Sequence, residues 1–282
     1  MVIRPMINDD TVKNNRIEID LVLEGIYQCY GYDFRNYAHA HIKRRLDHRL
    51  SLSRMDNYLE MLHRIIHNEE FFNELLLDLS INVTEMFRDP EFYKSVRESL
   101  IPYLQTYPFL KVWHAGCSAG QEVYSMAILM HEEKIIDKTQ IYATDFNELI
   151  LSKAREGIYP VELMKQYTKN YQTAGGKASF AGYYRADYDH VLINQSLKEK
   201  ILFTYHNLVT DGVFGEMNVI FCRNVLIYFN QELQNRVLKL FYESLIPGGF
   251  LCLGSKESLK FSECSPLFEP VSLSQKIYRK KR

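Results

Sequence analysis

From residue 17 to 80, apolar side chains recur at intervals of three and four, the spacing that gives an α-helix one buried stripe. The stretch 17–30 follows this pattern and runs into Gly31, a residue suited to ending a helix in the left-handed conformation. A second helix is predicted over 36–53, where Ile42, Leu46 and Leu50 form one apolar seam. Asp56 is placed to cap a third helix carrying Leu59, Leu62, Ile65 and Ile66. A fourth helix holds Phe71, Phe72, Leu75, Leu76 and Leu79. No alternation of strand type interrupts this region, so it predicts a small N-terminal helical domain.

The pattern changes near residue 108. Short apolar runs at 109–113, 140–144, 217–222 and 250–254 have the length of buried strands, and helical stretches at 122–131, 147–156 and 231–245 lie between them. Pro247-Gly248-Gly249 is expected to break the chain before the 250–254 strand, and residues 275–278 supply one further strand. Strands alternating with helices predict an α/β domain built on a mostly parallel sheet covered on both faces. Residues 160–200 depart from the alternation. Gly175-Gly176, followed by Tyr183, Tyr184, Tyr188, Val191 and Ile193, predicts a small β insertion of hairpin type. The expected organisation is a helical domain over 1–80, a linker with a helix over 81–108, and an α/β domain over 109–282.

Composition narrows the class. At 46% hydrophobic and 24% charged over 282 residues, the chain can bury a sizeable core. The net charge of −1 argues against a generally cationic nucleic-acid binder. No apolar run approaches the ~20 residues that span a bilayer, and the N-terminal MVIRPMINDD has no apolar signal core. A cytoplasmic location without membrane insertion is the expectation. The five cysteines are scattered without ligand spacing, so no metal site and no disulfide framework is expected.

Three places carry candidate chemistry. The segment Val112-Trp-His-Ala-Gly116-Cys-Ser-Ala-Gly120-Gln-Glu122 reads as a strand, a small-residue turn and a helix start. Such a turn lets backbone approach a ligand and offers unpaired N–H groups; the competing explanation is a tight turn needing glycine only for its geometry. Asp145 ends the next strand, where α/β nucleotide sites grip ribose hydroxyls; the competing explanation is a cap for the helix that follows. Arg223-Asn224 follows the 217–222 strand directly. A buried guanidinium needs a partner, so the alternative to ligand contact there is an internal ion pair with an Asp or Glu.

Together these segments resemble the CheR-type chemotaxis methyltransferases, which use S-adenosylmethionine to esterify glutamate side chains of chemoreceptors. The likeness rests on Asn82-Val-Thr84-Glu-Met-Phe-Arg88-Asp89, the 112–122 turn, Ala143-Thr-Asp145, Gly157-Ile-Tyr159 and His206-Asn207-Leu208. It extends through Phe221-Cys-Arg223-Asn224-Val-Leu-Ile-Tyr228-Phe229 and Pro247-Gly-Gly249, in the family's order. The resemblance implies a Rossmann-like methyltransferase fold for 109–282, with S-adenosylmethionine as cofactor and S-adenosylhomocysteine as product. It also implies a site. Asn82, Thr84 and Arg88 contact the cofactor from the interdomain segment. Gly116, Glu122 and Asp145 line its pocket, Asp145 on the ribose side, and Asn207, Leu208, Arg223 and Asn224 complete it. Arg88 and Tyr228 stand at the reacting centre. Three features depart from the family pattern. Met86 replaces a usual phenylalanine, and Ala119-Gly-Gln-Glu-Val123 replaces Thr-Gly-Glu-Glu-Pro, leaving Glu122 the sole acid there. The insertion around 184–190 differs from enteric members, in which this subdomain grips a receptor tail peptide.

The second helix bears on the substrate. Helical spacing sets His41, Arg44, Arg45, His48 and Arg49 on a broad face away from the Ile42-Leu46-Leu50 seam. In the family the basic helix meets the acidic methylation region of the receptor, so Arg44, Arg45 and Arg49 are the expected substrate contacts. Charge reversal at Arg45 and Arg49 is expected to leave stability almost unmoved. The expected partner is the cytoplasmic part of a chemoreceptor, met by a monomer, with no nucleic acid involved. The alternatives are the same chemistry on a sensor kinase or other signalling protein, a non-catalytic cofactor-binding regulator, or a methyltransferase for nucleic acid or small molecules.

Overall fold

A computed structural model describes residues 7–80 and 84–282, with side chains from residue 14 onward. The chain divides into two compact units, one of Met1–Ile81 with Tyr228–Leu233 and the other of Asn82–Ile227 with Gln234–Arg282.

In the first unit, helices α1 (Ile7–Tyr30), α2 (His39–Ser53), α3 (Tyr58–His67) and α4 (Glu69–Leu79) follow one another. Ile19, Val22, Leu23 and Ile26 of α1 are buried at the spacing of one helical face. Gly31 ends α1 with a φ of +76°. On α3 the structure corrects the expected face. Tyr58, Met61 and Ile65 are buried, while Leu59 and Ile66 point to solvent. The cap is Asn57 rather than Asp56, its side chain accepting from the Glu60 N–H at 2.9 Å. Asn68 caps α4 in the same way through Phe71, and all five expected apolar positions of α4 are buried.

The second unit opens with α5 (Pro90–Ser99) and α6 (Ile101–Leu104). These helices are more than a linker: Phe92, Tyr93, Val96, Leu100, Ile101 and Leu104 belong to its hydrophobic core. There follow β1 (Leu110–Ala115), α7 (Gln121–Glu132), β2 (Thr139–Asp145) and α8 (Glu148–Glu156). The insertion comprises β3 (Ile158–Pro160), α9 (Met164–Thr173), β4 (Tyr184–Asp187) and β5 (His190–Ile193). Then come α10 (Gln195–Lys198), β6 (Ile201–Tyr205), β7 (Met217–Cys222), α11 (Gln231–Ser244), β8 (Leu245–Leu253), β9 (Phe268–Ser272) and β10 (Ile277–Lys280). The α/β class and the mostly parallel sheet agree with the sequence expectation.

Seven strands form one sheet in the order β6-β2-β1-β7-β8-β10-β9. The first five are parallel, and β10 runs antiparallel to both β8 and β9. From β1 the order runs outward through β2 to β6 on one side and through β7 to β8 on the other. The carboxyl ends of β1 and β7 therefore flank the switch point, where open α/β sheets bind ligands. The insertion is a separate three-stranded antiparallel sheet in the order β3-β5-β4, joined to helix α9. Pro247-Gly248-Gly249 does not precede the strand but lies inside β8, where the pairing with β7 shifts register. Strands β6 and β9, both at sheet edges, are not among the predicted strands, although Ile201-Leu202-Phe203 of β6 is an apolar run. Leu202 and Tyr205 of β6 are half exposed, and β9 carries Pro270, a residue tolerated at edges.

Candidate functional site

The turn from β1 into α7 is built on left-handed backbone. Gly116, Ser118 and Gly120 have φ values of +76°, +51° and +88°. The N–H groups of Gly116 and Cys117 both donate to the Thr144 carbonyl, at 2.9 and 2.8 Å, which fastens the turn to the end of β2. Gly116 is required for a second reason: a Cβ there would lie 2.6 Å from Cγ2 of Val225, on the loop after β7. The two arms of the switch point are in direct contact at this glycine.

Asp145 closes β2 with its side chain buried at 8% exposure. Its Oδ2 accepts from the Ser118 N–H at 3.0 Å and its Oδ1 from the Asn147 N–H at 3.1 Å. Burial pushes the carboxyl up to about 6, against the opposing pull of these backbone donors. Asn147, not Asp145, caps α8, accepting from Leu149 and Ile150. The Phe146 N–H is a third backbone donor to this carboxylate, and the three together leave part of its roughly four acceptor sites for a ligand. Beside it, the His206 N–H donates to the Asp145 carbonyl at 3.3 Å, bringing Asn207 and Leu208 to the same sheet edge. The Asn207 Oδ1 accepts from Val209 at 3.0 Å and so shapes its own turn, and Leu208 is buried.

Arg223 has a different surrounding. Its side chain is 1% exposed, one Nη donating to Glu122 Oε2 at 3.0 Å and the other to Asp89 Oδ2 at 2.7 Å. The guanidinium also lies over the Phe92 ring, 3.9 Å from its centroid. The other Glu122 oxygen sits 3.2 Å from Nδ1 of His114, whose ring stacks on Phe221. Burial by itself would raise the Glu122 carboxyl, but the His114 hydrogen bond and the Arg223 charge outweigh it and hold it below the ordinary range. The internal ion pair that competed with ligand contact is thus present at Arg223. It ties the start of α5, the first turn of α7 and the end of β7 together.

A separate set of contacts holds the turn that carries Arg88. Phe87 and Asp89, on either side of it, both have φ near +55°, an uncommon backbone for residues with side chains. Three contacts hold this turn. Ser125 Oγ accepts from the Phe87 N–H at 2.9 Å, Asn170 donates to the Met86 carbonyl at 3.0 Å, and the Phe87 ring packs among Tyr93, Tyr171 and Phe180. Arg88 and Thr84 are half-buried, and Asn82 lies outside the described residues. Sequence reasoning assigned no role to Ser118, Ser125, Asn170, Asp89 or His114. Asp89, His114 and Ser118 stood within quoted motifs; Ser125 and Asn170 carried no local signal.

Within the first unit, Tyr228 accepts through its carbonyl from the Ala38 N–H at 2.8 Å, and its ring meets His41 edge-on at 5.2 Å. On α2, Arg44 is exposed and Arg45 half-buried. Arg49 leaves the expected free face. Its side chain is 11% exposed and pairs with Glu74 and Asp78 of α4, both at 2.6 Å. The helical spacing was right, but α4 packs close enough to capture the guanidinium, so charge reversal there is not neutral for stability.

The donor set fits a nucleoside carrying a vicinal diol. The Asp145 carboxylate meets the turn at the Ser118 N–H, and α7 begins close by at Gln121. The model for the CheR methyltransferase all-alpha domain matches residues 17–80, and that for the CheR methyltransferase SAM binding domain matches residues 82–277. A Pseudomonas putida protein provisionally named methyltransferase Cher3 is 49% identical, covering 95% of this chain and 98% of its own. Chemotaxis protein methyltransferase 2 of Vibrio cholerae is 30% identical over 86% of this chain and 85% of its own. Among solved structures, a SAM-dependent methyltransferase from Methanosarcina mazei aligns at 13% identity and a TM-score of 0.32, covering 55% of this chain and 56% of that one.

Proposed function

The chain belongs to the CheR methyltransferase family and is a methyltransferase that uses S-adenosylmethionine. From that premise we propose that it forms methyl esters on glutamate side chains of a chemoreceptor. The observation that carries its cofactor part is Asp145, a buried acceptor at the end of β2 bonded to the Ser118 N–H; its substrate part is supported by the family. In this reading Asp145 accepts from the ribose hydroxyls, and the backbone of Gly116 and Asn224 borders the cofactor. Asn82, Thr84, Asn207 and Leu208 supply further walls. Glu122 and Arg223 act chiefly on each other, holding α7 against β7 so that the pocket keeps its shape.

S-adenosylmethionine supplies an electrophilic methyl group on a sulfonium sulfur. A glutamate carboxylate is already ionised at pH 7, so the chain needs no general base to create the nucleophile. Its work is to draw the carboxylate in, strip water from it and align it. Arg88 provides the attracting charge on a backbone held rigid from both sides, and Tyr228 provides a hydrogen-bond donor. Arg44 and Arg45 on α2 remain the cations available to an acidic receptor segment.

Methyl transfer from labelled cofactor to receptor cytoplasmic fragments tests the reading. Label released by mild alkali identifies a carboxyl ester. Label that survives alkali, as methylated nitrogen does, refutes it. Base-labile label on a sensor kinase but not on any receptor moves the substrate within signalling and keeps the chemistry.

A further inference from the structure

We propose that Glu257 is a positioning residue for the cofactor pocket, clamping the backbone of Asn224, Val225 and Leu226 against the turn that follows β1. Glu257 lies beyond β8, outside every motif by which the site is recognised in the sequence. It is 5% exposed. Its Oε1 accepts from the N–H groups of Val225 and Leu226 at 2.8 and 2.7 Å, and its Oε2 from that of Asn224 at 3.0 Å and from that of Gly254. Four backbone donors converge on one carboxylate.

The chain needs an acceptor there because of the path it takes after β7. Asn224 is left-handed, with a φ of +63°, so successive N–H groups turn to one side and form a concave nest. Consecutive buried donors without acceptors are strongly unfavourable. A carboxylate, with two oxygens and about four lone pairs, satisfies all four. Gly254 is part of the same device: a Cβ on it would lie 2.7 Å from both Asn224 N and Glu257 Oε2. The consequence reaches the pocket through Val225, whose Cγ2 occupies the space that a Cβ on Gly116 would need. Loosening the clamp frees Val225 to press on the Gly116 turn, and that turn carries the Ser118 bond to Asp145. The inference rests on the reading that this turn and Asn224 border the cofactor.

The test uses the full chain and S-adenosylhomocysteine as the calorimetric probe. Glu257→Gln places an NH2 group against backbone donors, and affinity is expected to fall about tenfold or more. Glu257→Asp keeps both acceptor oxygens on a shorter arm and is expected to recover part of the loss. Glu132→Gln is the control for general destabilisation. Glu132 is a buried carboxylate at the far end of α7, bonded to Arg97, Tyr171 and Tyr183. Its variant is expected to lower the melting temperature while binding the probe like wild type. If Glu257→Gln does not fold, Glu257→Asp carries the test, with a several-fold loss as the supporting result. Wild-type affinity in the folded Glu257 variants, or an equal loss in Glu132→Gln, overturns the inference. Asp145→Asn separates this from failure of the site reading. If that variant also binds like wild type, the pocket has been misassigned; if it alone weakens binding, only the role of Glu257 falls.

Discussion

Replacing Asp145 by Asn is expected to strengthen the unliganded fold while weakening cofactor binding. The carboxyl rises from 3.8 to about 6 on folding because burial disfavours its charged form. That rise corresponds to about 3 kcal/mol of destabilisation above pH 6. The sign follows from proton counting. Between pH 3.8 and 6 the folded state binds the proton and the unfolded state does not, so stability falls as pH rises through this window and stays flat above it. Asparagine carries no charge and escapes the loss. It keeps one acceptor oxygen but turns an NH2 group toward Ser118 or Asn147, which costs about 1–2 kcal/mol. The net expectation at pH 7.5 is a variant about 1–2 kcal/mol more stable than wild type, and at pH 4 one less stable. Other titrating groups, Glu122 and Glu257 included, are common to both proteins and cancel in the difference. Urea denaturation of the unliganded proteins at the two pH values measures it. Calorimetry with S-adenosylhomocysteine should show a ten- to hundredfold loss of affinity, from about 1.5–3 kcal/mol of charged hydrogen bonding. A stability difference that does not change between pH 4 and 7.5 would refute the burial argument, and unchanged affinity would remove Asp145 from the ribose.

Three further outcomes follow from the geometry. Arg49→Glu sets a third acid beside Glu74 and Asp78 and should lower stability by about 1–3 kcal/mol in urea, whereas Arg44→Glu should stay within about 0.5 kcal/mol; equal effects would show that the Arg49 pairs contribute nothing. Arg44→Glu with Arg45→Glu should depress methyl transfer to a receptor fragment and flatten its dependence on salt, and unchanged transfer means that the substrate docks elsewhere. Gly116→Ala adds a Cβ to left-handed backbone 2.6 Å from Val225 and should abolish detectable probe binding, with partial recovery in the Gly116→Ala, Val225→Ala double variant. No recovery would mean that backbone strain alone, not the Val225 contact, makes the glycine necessary.

The sequence by itself determined the division into a helical region and an α/β region, because hydrophobic periodicity is a local property. Burial of Phe71, Phe72, Leu75, Leu76 and Leu79 on α4 needs only the spacing of those five residues. It also determined where the turn after β1 lies: glycines at 116 and 120 mark backbone that few other residues adopt, and Asp145 ends an apolar run whose length is that of a strand. Tertiary structure decided what the charged residues do. Arg223 meets Glu122 and Asp89 across 101 and 134 residues of chain, and Arg49 meets Glu74 and Asp78 only because α2 and α4 pack side by side. A cation carries the same local signature whether it awaits a substrate or is held by an internal acid. The edge strand β9 was decided the same way, by pairing with β10 rather than by an apolar pattern of its own. The Glu257 clamp is the extreme case, for its four donors are backbone N–H groups, which every residue except proline possesses. Only the fold brings them to one carboxylate.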